Sequence, residues 1–168
     1  DMIAKGIVED AVIAIVMRNE PVFLEIIEAC RLVGARYAAI NWHSAPQEIW
    51  HILEDSGAKI IYAHTDLLHK NQNGIPPNVK QISVSVPSII CRTYGIEDIA
   101  TSAANQIETI ISDTAPYSGQ YKRMRGMFPY TSGSTGRPKG ILREASGDGP
   151  DTYSLYKDIA KNMIGLQR

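Results

Sequence analysis

The sequence predicts an α/β fold in which βαβ units build a parallel sheet, and three features carry that prediction. Short runs of branched apolar residues lack polar alternation, as strands do when they are covered on both faces. Amphipathic helical patterns alternate with those runs. The joints between them are short, which suits right-handed crossovers on one sheet.

Taken in order, Val12 to Met17 is the first strand. A helix follows, with Asn19 as its cap, Pro21 in its first turn, and Phe23, Ile26, Ile27, Cys30 and Val33 at three- and four-residue steps until Gly34 stops the pattern. Tyr37 to Ile40 is the second strand. Ser44 with Gln47 forms a capping box before a second helix, whose stripe is Ile49, Trp50 and Leu53 and whose stop is Gly57. Lys59 to Ala63 is the third strand. Residues 71–78 carry Asn-Gly and Pro-Pro turn signals and read as an exposed connection. Val79 to Val86 alternates, with Ile82, Val84 and Val86 on one side, and predicts a fourth strand. Ile96, Ile99, Ala103, Ile107 and Ile110 have helical spacing, 113–122 is a loop, and Met127 to Tyr130 is a short strand. The tail from Glu144 opens with a loop and ends in a helix carrying Leu155, Ile159 and Met163.

A chain of 168 residues with 44% hydrophobic and 21% charged residues belongs to the soluble globular class and can bury a sizeable core. Seventeen basic residues against eighteen acidic ones leave no nucleic-acid footprint. The short basic cluster Lys122, Arg123 and Arg125 reads first as a solvated surface run, with attraction of a polyanion as the second reading. Cys30 and Cys91 show no metal-ligand spacing, so neither zinc nor a disulfide framework is expected and a cytoplasmic location is. Cys30, inside a helical pattern, is expected to behave as a small buried hydrophobe. No apolar run approaches a membrane span, and the start lacks a signal peptide's layout. The first residue, Asp1, is not an initiating Met, which points to a processed, trimmed or incompletely observed start. His43, His51, His64 and His69 fit no metal motif and are assigned structural or surface roles, and Trp42 and Trp50 are assigned to packing.

Chemistry concentrates in Tyr130-Thr131-Ser132-Gly133-Ser134-Thr135-Gly136-Arg137-Pro138-Lys139-Gly140. Glycines permit positive φ and close approach of main-chain N–H groups to an anion, hydroxyls add neutral donors, and a lysine adds a mobile point charge. That set suits polyphosphate. The spacing is neither that of a Walker loop nor of the dinucleotide GxGxxG pattern.

The eleven-residue string closely resembles the phosphate-binding signature of the adenylate-forming superfamily of acyl- and aryl-CoA synthetases, peptide-synthetase adenylation domains and luciferases. Val12-Ile-Ala-Ile-Val-Met-Arg-Asn-Glu-Pro, Ala29-Cys-Arg-Leu-Val-Gly-Ala, and Ile40-Asn-Trp through Ile52-Leu-Glu-Asp-Ser-Gly-Ala look like the opening βαβαβ segment of the same enzymes. The resemblance covers most of Val12 to Ala63 and Met127 to Arg143, and its flavour is that of acyl-CoA synthetases.

The resemblance implies ATP-dependent activation of a carboxylic acid, fatty or other acyl, to an acyl-adenylate and then to a thioester with coenzyme A, assisted by Mg²⁺. By position, Thr131, Ser132, Ser134 and Thr135 with the backbone at Gly133 and Gly136 would cradle the β- and γ-phosphates, and Lys139 would offset their charge. Arg137 and Pro138 would shape the turn. It further implies that residues 1–168 are part of the large N-terminal AMP-binding domain, with the small C-terminal domain absent. No catalytic residue and no metal ligand is then expected here, and the fragment alone is expected to be inactive in the full reaction. A second class stays open: a non-catalytic module that keeps the phosphate loop to bind a nucleotide or a partner.

Overall fold

The computed structural model describes residues 2–96, 106–120, 122, 125–132 and 137–141. Its main body is a four-stranded sheet in the order β2-β1-β3-β4, with β1 at Val12–Val16, β2 at Arg36–Ala39, β3 at Ile60–His64 and β4 at Lys80–Val84. All three pairings are parallel. Every residue of β1 and of β3 is buried, which is why neither strand alternates in sequence.

Side chains leave the sheet on alternate faces, and the two faces differ in size. Ile13, Ile15, Ile60, Tyr62, Ile82 and Val84 project one way. Ala14, Val16, Ile61 and Ala63 project the other, and the register places Ala38 beside Ala14. Helix α1, Pro21–Val33, lays Ile26 and Cys30 on the larger side chains. Helix α2, Pro46–Asp55, lays Ile49, Ile52 and Leu53 on the smaller ones. The chain steps from β1 to β2 in one direction and from β2 past β1 to β3 in the other. Crossovers of one hand therefore put α1 and α2 on opposite faces.

Both helix starts differ from expectation by one residue. Helix α1 is preceded by Glu20 rather than capped by Asn19, and α2 by Ala45 rather than Ser44. In each case a proline, Pro21 or Pro46, occupies the first helical position, where its fixed φ and missing N–H fit, and so sets the boundary. The reciprocal half of a capping box survives in α2, where Glu48 accepts from the Ala45 N–H at 3.0 Å. Gly34 ends α1 at φ 72°, and an added Cβ there would lie 3.0 Å from Lys122 Cβ.

Two short helices in the described chain were not expected. Residues 71–78 do not form a plain exposed connection: α3, Thr65–Asn71, runs directly out of β3 into a 3₁₀ turn at Gln72–Gly74. Asn71 is buried, its side-chain amide donating to the Leu67 carbonyl at 2.7 Å. Helix α4, Ser88–Tyr94, follows β4. Of the helical spacing from Ile96 to Ile110, α5 occupies Ile107–Ser112, whereas Ile99 and Ala103 lie outside the described residues, as does the whole tail from Glu144. The strand expected at Met127–Tyr130 divides in two. Met127 bridges in parallel to Tyr37 at the sheet edge, and β5, Tyr130–Ser132, pairs antiparallel with β6, Pro138–Gly140.

Packing on both faces makes the central strands intolerant of truncation. Ile61→Ala empties a position that is 1% exposed and should cost about 3 kcal/mol, whereas Leu24→Ala, at 67% exposure on the outer side of α1, should stay within about 0.5 kcal/mol. Urea unfolding of the two variants beside the parent chain measures the difference.

Candidate functional site

The β5–β6 hairpin presents the expected phosphate loop. Its register sets Tyr130 opposite Gly140, Thr131 opposite Lys139 and Ser132 opposite Pro138, so residues 133–137 form the connection. Side chains directly opposed on an antiparallel pair share a face. Thr131 and Lys139 are both exposed and stand together at the hairpin surface, a hydroxyl donor beside an ammonium group. Of the other expected ligands, Gly133, Ser134, Thr135 and Gly136 lie outside the described residues, and Ser132 is described through its backbone pairing alone.

The opposite face of the hairpin turns toward α2. Tyr130 packs against the core on the α2 side, and its phenol donates to Asp55 Oδ2 at 2.7 Å. Burial first, and then the hydrogen bond and charge of Asp55, push the Tyr130 phenol up from its ordinary value of 10.0. His51 Nε2 meets the Pro138 carbonyl at 3.1 Å. A cleft of about 730 Å³ opens beside Pro138, between Glu48, His51 and Glu54 of α2 and the 73–77 turn. A second cavity, about 620 Å³ and mainly apolar, lies on the other side of the sheet between α1 and α5, remote from the hairpin.

A different cluster occupies the carboxyl ends of β1 and β3, the point where strand order reverses and where ligands commonly bind in open α/β sheets. Arg18 forms a bidentate pair with Asp66, Nη1 to Oδ1 at 3.0 Å and Nη2 to Oδ2 at 2.8 Å. His64, fully buried, accepts at Nδ1 from the Arg18 N–H at 3.2 Å, which leaves the proton on Nε2 to donate to the Glu20 carboxylate. Trp42 and Tyr94 stack over the guanidinium with ring centroids 4.7 and 5.5 Å from its carbon. These groups pair with one another and close the crevice, with Arg18 Nε the one donor of the cluster left without a partner among the described residues. Sequence reasoning assigned His64 a structural or surface role and did not single out Arg18, Glu20 or Asp66. The available signal was that each follows or ends a buried strand within a few residues.

The remaining candidates fall into place around these two centres. Arg125 pairs with Glu9 and Asp10, so it is engaged at the surface rather than offered to a polyanion, and Arg123 lies outside the described residues. Cys30 is buried, and desolvation pushes its thiol up to about 12, which removes it as a nucleophile. Trp50 donates from Nε1 to the Asn71 carbonyl at 2.9 Å. Among the described residues no three His, Cys, Asp or Glu side chains group closely enough to hold a metal ion. Among them, too, no helix is long and apolar enough to cross a membrane.

Residues 2–147 match the family of AMP-binding enzymes. Among curated proteins, 4-coumarate–CoA ligase 3 of Arabidopsis thaliana is 26% identical over 175 residues, covering 96% of this chain and 29% of the relative. The 2-succinylbenzoate–CoA ligase of Bacillus licheniformis is 26% identical over 133 residues, covering 77% and 23%. The chain thus spans less than a third of the length of these relatives. Its fold is shared with a benzoate CoA ligase from Burkholderia xenovorans at a TM-score of 0.69, with 15% identity over 98% of this chain and 29% of that one. It is also shared with the o-succinylbenzoate coenzyme A synthetase of Bacillus subtilis in complex with ATP and magnesium ion, at 0.61, with 18% identity over 99% and 38%.

The Arg18–Asp66 pair makes stability depend on acid. Burial pushes the Asp66 carboxyl up, but the hydrogen bonds and charge of Arg18 outweigh it and hold it below its ordinary 3.8. A carboxyl depressed in the folded state stabilises above its unfolded pKa, and that contribution drains away as pH falls from 3.8 through the folded value. Asp66→Asn, which strands a buried guanidinium charge, should cost about 3 to 5 kcal/mol near neutrality. In urea titrations on acidification below pH 3.8, the parent chain should lose more stability than Asp66→Asn does.

Proposed function

Because the chain belongs to the family of AMP-binding enzymes, we propose that it is the phosphate-holding part of an ATP-dependent ligase that activates a carboxylic acid as its acyl-adenylate and passes the acyl group to coenzyme A. Residues 1–168 are then a portion of the large N-terminal domain of that enzyme. The observation that carries the reading is the hairpin register, which stands Thr131 beside Lys139 one residue pair before the Gly-Ser-Thr-Gly-Arg connection.

A carboxylate is a weak nucleophile, and its attack on the α-phosphate gathers negative charge on the departing pyrophosphate. The catalytic need is therefore for donors fixed in advance around the β- and γ-phosphates. Thr131, Ser132, Ser134 and Thr135 supply hydroxyls, Gly133 and Gly136 supply main-chain N–H groups with no side chain in the way, and Lys139 supplies a full charge. The exposed Thr131–Lys139 pair fits a polyanion arriving from solvent, since neither group spends its donors inside the core. Magnesium, when bound with the nucleotide, would neutralise phosphate charge. The curated relatives that activate coumarate and succinylbenzoate, both carboxylic acids, support this class of substrate.

Lys139→Ala removes a charge-assisted contact and should weaken binding of Mg·ATP by about 10- to 100-fold, the equivalent of roughly 1.5 to 3 kcal/mol. Thr131→Val should weaken it by about 5-fold, as loss of a neutral hydrogen bond does. Calorimetric titration of the chain with Mg·ATP measures both, and equal affinity in all three proteins would remove the loop from the nucleotide site.

A further inference from the structure

We propose that helix α2 is the positioning element of the phosphate loop, and that His51 and Asp55 act as a two-point latch on the two strands that carry it. The inference rests on the phosphate reading above and extends it to residues that touch no phosphate.

Three observations converge. His51 and Asp55 lie four residues apart on α2, hence on one face and about one turn from each other. Each ties a different strand of the hairpin. The Tyr130 phenol of β5 donates to Asp55, and His51 donates through Nε2 to the Pro138 carbonyl of β6, since a carbonyl can only accept. Gly140 makes the first tie possible. A Cβ at that position would lie 2.9 Å from Tyr130 Cζ and 2.8 Å from Phe128 Cε2, so only a bare α-carbon lets the Tyr130 ring fold across β6 toward the helix.

The geometry bears directly on Lys139. Pro138, whose carbonyl His51 holds, is the residue immediately before it, and Thr131, its cross-strand partner, immediately follows Tyr130. Fixing those two neighbours fixes the backbone from which both proposed ligands project. Donors that are already in place need no reorganisation when the polyphosphate arrives. The helix itself is anchored through Ile49, Ile52 and Leu53, which face the sheet, so the latch transmits the rigidity of the core to the two hairpin strands.

Three variants test this: His51→Ala, Tyr130→Phe, and His51→Gln, whose amide can still donate to a carbonyl. Amide hydrogen exchange without nucleotide should rise about fivefold at 130–132 and 137–141 in the first two, as loss of one net hydrogen bond predicts, with β1 to β4 unchanged. Their Mg·ATP affinity should fall by about the same factor, and His51→Gln should restore both. Unchanged exchange in the hairpin, or an equal rise throughout the sheet, would overturn the latch. So would variants that bind Mg·ATP as tightly as the parent chain. A parent chain that binds no Mg·ATP would sink the phosphate reading instead, and the exchange measurement would still decide whether α2 holds the hairpin.

Discussion

Strand β1 has a hydrogen-bonded neighbour on each side, and both neighbours come later in the chain. That one constraint arranges everything else. The chain must leave β1 to one side, return past it, and pair on the other, and a fixed crossover hand then sends α1 and α2 to opposite faces. The side chains of β1 reflect the division, with Ile13 and Ile15 beneath α1 and Ala14 and Val16 beneath α2. Small residues on the second face form a shallow bed for α2. It is this helix that reaches the hairpin, so the placement of β5 and β6 is decided by pairings made at residues 12–16.

Where strand order reverses, an open sheet leaves a crevice between diverging connections. Here it is closed by charge rather than by apolar packing, through Arg18, Asp66, His64 and Glu20. Removing charges from water costs several kcal/mol each, and mutual attraction recovers that cost only when geometry is tight and the hydrogen bonds are nearly complete. The bidentate pair, the buried imidazole and the two aromatic rings over the guanidinium meet that condition. Such a network contributes little net stability. It fixes one alignment of β1 against β3, because a shifted register would leave each charge without its partner.

The longer elements were legible because their causes are local. A run such as Val12 to Val16 can hardly be anything but a covered strand, and Pro21 with Gly34 brackets α1 in the sequence itself. The two helix starts fell one residue off because a hydroxyl at Ser44 and an amide at Asn19 looked like caps, while proline geometry decided the boundary. Helices α3 and α4, seven residues each, span two turns and carry too few apolar positions to show a period. Within the candidate site, the loop string and Lys139 could be read from composition and order. The partners of His64, Tyr130 and His51 lie 44, 75 and 87 residues away, and no local pattern announces such meetings.

The order of synthesis gives β1 a particular history. It emerges from the ribosome as Val-Ile-Ala-Ile-Val, yet its second partner is complete only when His64 has been made. Until then a nascent chain carries an unpaired apolar pentapeptide with high β-propensity and neither proline nor glycine, the composition that favours association between chains. Charge flanks it closely on both sides, with Glu9 and Asp10 before and Arg18 and Glu20 after. In the finished fold Glu9, Asp10 and Arg18 make ion pairs and Glu20 accepts from His64. Flanking charges of this kind discourage an apolar run from associating with its copies while the chain is still incomplete.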